Sequence, residues 1–377
     1  MVESGDNVDD IAARYGIPIE ELVSVNQLQY PYRLAVGQAL LITNEEGESD
    51  GYAYINGFAY PFINEWVLDN TLPYLSFLSV FSYGFTEEGG LLYPALPDEW
   101  MIEAAKEQNV VSILTLTPLD ENGRFNNNLI SSVVNNAEYS QRLIEELLEV
   151  MQIKGYGGVD VDFEYIRSED RDAFTGFVQQ LKNAVAPYGF LVTVDLAPKT
   201  SSEQRGLLYE GKDYGALGRI ADAVLIMTYE WGYKYGPPLA VSPINKVREV
   251  IEYAVTEIEP AKINLGIPNY GYDWPLPFVR DVTVARTIGN IEAVQIAIDN
   301  SAVIEFDEVA QAPYFYYTSE GVEHVVWFED VRSLLAKFEL IKEFGLRGAG
   351  YWTIMSWFEA NWRLLSDNFR IIKRTGD

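Results

Sequence analysis

Acidic side chains at every second position are the part of this sequence with the most chemical content. The run Gly157-Gly158-Val159-Asp160-Val161-Asp162-Phe163-Glu164 alternates apolar and acidic residues. In a strand, residues two apart share a face, so Asp160, Asp162 and Glu164 point one way while Val159, Val161 and Phe163 point the other. Such neighbours lie roughly 6.5 to 7 Å apart at Cα, close enough for their carboxyl groups to share a hydrogen bond and a proton. If the apolar face packs under helices, the acids face inward. Three like charges in a partly dry interior are unfavourable unless at least one carries a proton. A carboxyl that stays protonated near neutral pH is a general acid, able to hand a proton to a leaving oxygen. Glu164, at the C-terminal end of the run, is the best placed. The competing structural explanation is a half-exposed strand with a solvated acidic face. Calcium ligation would require more oxygen ligands at loop spacing, and no such pattern is present.

Composition narrows the chemistry further. The 377 residues include no cysteine and one histidine, His324. That removes disulfides, thiol nucleophiles and nearly every zinc or Ser-His arrangement, so neither a metal nor a cofactor is expected. His324 precedes an apolar Val-Val-Trp run with no acid or nucleophile patterned around it, and reads as structural. With 27 basic and 56 acidic side chains the formal charge is -29. Such a field repels a phosphate backbone, and no polybasic cluster stands out, so neither nucleic acid nor a membrane surface is an expected partner. No stretch of 18 or more apolar residues appears, and the N-terminal residues lack the basic and apolar regions of a signal peptide. Nothing in the pattern specifies an oligomeric state.

The elements that must position the acids follow from hydrophobic periodicity. From residue 51 onward, short β-rich apolar runs alternate with amphipathic helical patterns, the mark of parallel βα units. Strands are expected over 52–59, 74–82, 110–116, 157–164, 191–196, 223–228, 262–267 and 348–352. Helices are expected over 99–108, 137–152, 169–186, 243–258 and 331–344. Eight units suit a closed (β/α)8 barrel over 51–377, whose active site lies at the C-terminal rim of its strands. The interval from the seventh strand to the eighth is about eighty residues, roughly double a normal unit. It is expected to hold a small α+β insertion at about 275–328, with a helix over 283–299 and strands near 303–307, 314–318 and 324–328. Residues 1–43 form a separate unit, and 44–50 a charged, polar linker.

That first unit resembles a LysM domain, a module that binds N-acetylglucosamine-containing glycans. The signposts run in order: Gly5-Asp6, Ile11-Ala12 to Tyr15-Gly16, Leu22 to Asn26, and Val36-Gly37-Gln38 leading to Leu40 and Ile42, with the usual first strand cut to Met1-Val2. The barrel resembles glycoside hydrolase family 18. Its strand-four signature D-x-x-D-x-D-x-E is met by Asp160, Asp162 and Glu164, with Gly157 where the family carries its first acid. Met227-Thr228-Tyr229-Glu230-Trp231, Gly266-Ile267-Pro268-Asn269-Tyr270-Gly271 and Gly350-Tyr351-Trp352 follow at the sixth, seventh and eighth strands. Glu230 stands where aspartate is more usual. Together with the segment 324–330, the combination looks most like the spore-cortex-lytic N-acetylglucosaminidases of endospore-forming bacteria.

The resemblance implies cleavage of β-1,4-linked N-acetylglucosamine in peptidoglycan, on spore-cortex fragments, by substrate-assisted retaining catalysis in which the sugar's own acetamido oxygen attacks. It implies a spore or cell-wall location. Glu164 would act as acid and then base, Asp162 would accept the acetamido N–H, Asp160 would supply charge beneath it, and Tyr229 would donate to the acetamido oxygen. Trp352 would floor the sugar, with Glu230, Trp231, Asn269, Tyr270 and Tyr54 as further substrate contacts. The alternatives are a chitinase or endo-β-N-acetylglucosaminidase with the same chemistry, and a non-catalytic lectin on the same barrel. Lectin-like relatives typically lose the strand-four glutamate, which is retained here.

Overall fold

The computed structural model describes residues 1–43, 49 and 51–373, so the linker expected at 44–50 lies outside the described residues apart from Ser49. Eight parallel strands close into a barrel: Gly51–Ala59, Phe77–Phe85, Val111–Leu116, Gly158–Val161, Leu191–Leu196, Ala223–Ile226, Ile263–Pro268 and Gly348–Trp352. Each pairs with the next, and the eighth returns to the first in the register Tyr54 to Gly348 and Gly57 to Tyr351. We number them one to eight.

The surrounding helices form where the sequence supplies both a stripe and its stops. Ala137–Lys154 starts at Asn136, whose side chain accepts from the amides of Glu138 and Tyr139, and stops at Gly155 in the left-handed conformation (φ 82°). Its Leu143, Ile144, Leu147, Val150 and Met151 face the barrel. Val331–Phe344 opens with a capping box between Asp330 and Ser333. Under that helix Lys337 Nζ meets Glu329 Oε2 at 2.8 Å, with both side chains sealed from solvent.

Strand four settles which way its residues point. Val159, Val161 and Phe163 belong to the main hydrophobic core. The Phe163 ring packs against Phe85 and against Phe174 and Phe177 of the helix Arg171–Val185. Burying each such side chain stabilises the fold by roughly 1.5–3 kcal/mol, so the apolar set faces outward under the helices and the acids face the lumen. The regular strand is shorter than expected and ends at Val161. Asp162 still donates its amide to the Leu116 carbonyl at 3.0 Å, so the direction of the chain persists to Glu164.

After strand seven, five antiparallel strands form a second sheet in the order Arg286–Ile288, Gly271–Pro275, Val322–Trp327, Ala312–Ser319, Glu305–Asp307. The helix expected over 283–299 begins only at Asn290. Residues 286–288 are taken instead as an edge strand against Gly271 to Asp273, a tertiary pairing that overrides local periodicity.

In the N-terminal unit, the helices Val8–Tyr15 and Ile19–Val25 close over Val2, Val8, Ile11, Ala12 and Leu22. Among the described residues no regular ladder forms at its ends. Val2 exchanges backbone hydrogen bonds with Gly37 and Gln38, and the Asn26 side chain clamps Leu22 and Leu41. The unit docks on the insertion, where the Ile304 amide donates to the Val36 carbonyl at 2.8 Å. Gly37 makes this approach possible, since a Cβ there would sit 1.9 Å from the Ile304 carbonyl oxygen.

Candidate active site

A trench of about 620 Å³ opens at the C-terminal rim of the barrel. Its floor and walls include Asp162, Glu164, Asp195, Tyr229, Glu230, Trp231 and Trp352, together with Tyr60, Phe81, Tyr165, Tyr209 and Tyr233. A second hollow of about 570 Å³ continues from it past Tyr60, Phe81 and Phe125 to Phe62, Tyr93 and Leu96. The residues lining both include many aromatic and acidic side chains and, among the described residues, no lysine or arginine. Flat apolar faces beside hydrogen-bonding groups suit the two sides of a sugar ring.

Strand four delivers its carboxyl groups in a vertical row. Asp160 is deepest, 1% exposed, and accepts a hydrogen bond from Thr193 Oγ1 of strand five at 2.5 Å. Asp162 lies above it, 7% exposed, and Glu164 stands half-buried at the rim. Asp195 joins from strand five, two residues beyond Thr193. Among the described residues, Asp160 Oδ2, Asp162 Oδ1 and Asp195 Oδ1 have no partner within hydrogen-bond geometry.

Burial penalises the charged form of every member of this row. It pushes Asp160 up to about 6, against the pull of the Thr193 hydroxyl and the Lys212 ammonium. Asp162 is driven well above the ordinary carboxylate range, first by burial and then by the charge of Glu164. Asp195 is raised likewise, by burial and by Asp160 and Asp162. Glu164 is raised by burial, with Lys212 opposing. Carboxyls so crowded titrate as a set, and the set retains protons at pH values where a free carboxyl has none. Burial and the same carboxylates also raise Tyr229, which stays a neutral hydroxyl able to donate.

The aromatic floor is built from strand ends. Trp352, ending strand eight, packs edge-on against Phe81 with centroids 4.9 Å apart, and against Phe58 and Tyr60. Glu230, just beyond strand six, has a left-handed backbone (φ 69°) that a non-glycine residue rarely adopts. Its Oε1 accepts hydrogen bonds from the hydroxyls of Tyr270 and Tyr272, the latter at 2.8 Å.

The structure thus gathers Asp162, Glu164, Tyr229, Glu230, Trp231 and Trp352 around one trench, with Asp160 directly below. Three expected contacts sit elsewhere. Tyr270 holds Glu230 instead of lining the trench. Asn269 donates to the carbonyls of Thr353 and Ser356 at 3.0 and 2.9 Å, bracing the segment after Trp352. Tyr54 lies at the opposite end of the barrel, in register with the first residue of strand eight, stacked on Phe77 with the Arg347 guanidinium 3.8 Å from its ring. Only the last residues of a parallel strand reach the C-terminal rim, and on strand one that place falls to Tyr60. His324 is in the inserted sheet, with Nδ1 on Asp273 Oδ1 at 2.8 Å. Asp195 is an additional site residue with a sequence signal of its own, since Thr193 and Asp195 alternate on strand five as the acids do on strand four. Tyr60, Tyr165, Tyr209 and Tyr233 come from the ends of strands and loops and carry no local signal.

A closed parallel barrel with a rim trench of aromatic rings and buried, proton-retaining carboxyls defines a glycoside hydrolase built for acid-base chemistry on a sugar chain. Residues 122–356 match the model of the glycosyl hydrolases family 18, and residues 1–43 that of the LysM domain. The chain is 44% identical over 304 residues to the cortical fragment-lytic enzyme of Bacillus subtilis (strain 168), an alignment covering 80% of this chain and 70% of that protein. It is 38% identical to the cortical fragment-lytic enzyme of Bacillus anthracis, over 99% of this chain and 98% of that one. The crystal structure of the Bacillus cereus spore cortex-lytic enzyme SleL superposes with a TM-score of 0.84 at 36% identity, covering all of this chain and 87% of that one. The chain belongs to glycoside hydrolase family 18 and is a glycosidase with an N-terminal LysM domain. No helix among the described residues is long and apolar enough to cross a membrane.

Proposed function

We propose that this glycosidase cleaves the β-1,4 linkage following N-acetylglucosamine in fragments of spore-cortex peptidoglycan, and that it works at the spore or cell wall. One observation carries the chemistry: the inward row Asp160, Asp162, Glu164, which ends at the rim of an aromatic trench. The relatives at 38–44% identity, whose names specify cortical fragments, support the substrate. A trench free of basic side chains suits a weakly charged glycan better than one bearing anionic peptides.

In this reading Glu164 enters the reaction protonated and gives its proton to the glycosidic oxygen as the bond to the anomeric carbon breaks. The acetamido oxygen of the same sugar closes on that carbon to form an oxazolinium ring. Tyr229, a buried neutral hydroxyl, holds the acetamido oxygen at attacking distance. Asp162 accepts the acetamido N–H through a carboxyl oxygen and stabilises the developing positive charge, with Asp160 beneath it. Glu164, now a carboxylate, removes a proton from the water that opens the ring, so configuration is retained. Trp352 supplies the apolar floor, and Glu230, fixed by two tyrosines, borders the sugar.

Mass spectrometry of borohydride-reduced products from purified cortical fragments tests the proposal. New reducing ends on N-acetylglucosamine are expected. New reducing ends on muramic acid, or cleavage confined to chitin oligomers, would overturn the assignment.

A further inference from the structure

A buried lysine is costly unless something nearby requires its charge. Lys337 meets that requirement one to one through Glu329. Lys212 does not. It is 1% exposed, yet its Nζ donates to a backbone group, the Asp195 carbonyl, at 2.7 Å. The loop that brings it there is anchored at both sides. Asp213 caps the helix Tyr214–Ile220 by accepting from the Ala216 amide, and Lys199 Nζ donates to the Lys212 carbonyl at 3.2 Å. Gly211 lies so close behind the exit of strand four that a Cβ there would come within 2.4 Å of the Ile166 carbonyl oxygen. The loop therefore packs directly on the segment that carries Glu164, and the lysine's Nζ reaches the backbone of Asp195, one member of the carboxyl row.

The charged and titratable groups facing this pocket are Asp160, Asp162 and Glu164 from strand four, Asp195 from strand five, and Tyr229 beyond strand six, with Lys199 on the loop. Lys212 is the cation that acts on all four carboxyls. Burial lowers the Lys212 ammonium below the usual lysine range, and the carboxyls oppose it, Asp162 foremost.

We propose that Lys212 is a positioning residue for hydrolysis: its charge, held at the Asp195 backbone instead of spent on one ion pair, offsets the negative charge that the row takes on when one of its carboxyls ionises. The trench residues do not include it, so it acts through the carboxyls and not on the sugar.

This inference rests on the proposed hydrolysis, and wild-type turnover of cortical fragments tests that reading separately. The variant is Lys212→Gln, which keeps a side-chain donor one atom shorter than lysine but carries no charge. Loss of a nearby cation raises the pKa of every carboxyl in the row. Both limbs of the kcat/KM profile should therefore move to higher pH by about one unit, with a roughly tenfold fall on the acidic side and little change in KM. The chain has no cysteine, so Lys212→Cys can be alkylated at that position alone, in denaturant before refolding. Bromoethylamine restores a cation of nearly lysine length and should return the limbs to their wild-type positions, whereas iodoacetamide gives a neutral adduct that should not. This pair also decides the matter if the glutamine variant fails to fold. Limbs unmoved in Lys212→Gln, or identical limbs for the two adducts, would show a packing role alone and overturn the proposal.

Discussion

Replacing Glu164 with glutamine exchanges one carboxyl oxygen for an NH₂ group and leaves shape and volume almost unchanged. The side chain stands half-buried at the rim, where burial keeps the carboxyl protonated above the usual glutamate range. The amide has no proton to give at any working pH. One general acid or base accounts for about 10²–10⁴ in rate, and Glu164 serves both steps, first as acid and then as base. The expected loss in kcat is at the top of that range, about 10⁴-fold, or roughly 5 kcal/mol of transition-state stabilisation. Binding should persist, because Trp352, Tyr229 and the other trench residues are untouched, so affinity for a cortical fragment stays within about threefold. Stability gives an independent sign. A carboxyl whose pKa is raised on folding stabilises the protein below its unfolded value and loses that contribution as pH rises through the folded value. Glutamine escapes this loss, so Tm of the variant should match wild type at acidic pH and exceed it as pH rises through the folded value, by a margin that then levels off. Product release by mass spectrometry, isothermal titration with a fragment, and thermal unfolding across pH measure the three quantities. Turnover within tenfold of wild type, or parallel loss of turnover and binding, would refute the role given to Glu164.

Tyr229→Phe removes a single donor from a buried site and should lower kcat by about 10²–10³ while KM changes little; an effect confined to KM would remove the tyrosine from the reaction. Lys337→Met strands Glu329 in a sealed pocket and should destabilise the fold by about 3–5 kcal/mol, read by denaturant unfolding, with Lys337→Met/Glu329→Leu recovering most of the loss. Gly37→Ala places a methyl against the Ile304 carbonyl at a left-handed backbone position. It should speed hydrogen exchange at the Ile304 amide, which donates to Val36, while leaving turnover of short soluble fragments within about twofold.

Much of this molecule was legible in one dimension, because burial imposes periods that can be counted. Parallel strands covered on both faces produced the run of short apolar segments, and the helices between them showed their stripes. The row at Asp160, Asp162 and Glu164 could be assigned to the lumen before any coordinate, since Val159, Val161 and Phe163 had to go under the helices. The signatures after strands six and eight carried Tyr229, Glu230 and Trp352 to the same rim.

What escaped depended on contacts between residues distant in sequence. Local pattern shows that Tyr54 lies on a strand but not which end of the barrel it occupies, and the register against Gly348 places it far from the rim. The stretch 286–288 reads as the start of a helix until the Gly271–Pro275 strand claims it. Asn269 and Tyr270 belong to the right motif but brace neighbours instead of facing the trench. Lys212 has no local signal at all. Its side chain reaches the Asp195 backbone because a glycine lets one loop lie against another strand's exit. Alternation, set by the chirality and pleat of a single strand, is written in the sequence itself, whereas the balance of charge in the lumen is decided by which side chains of separate strands and loops the closed barrel brings within a few ångströms of each other.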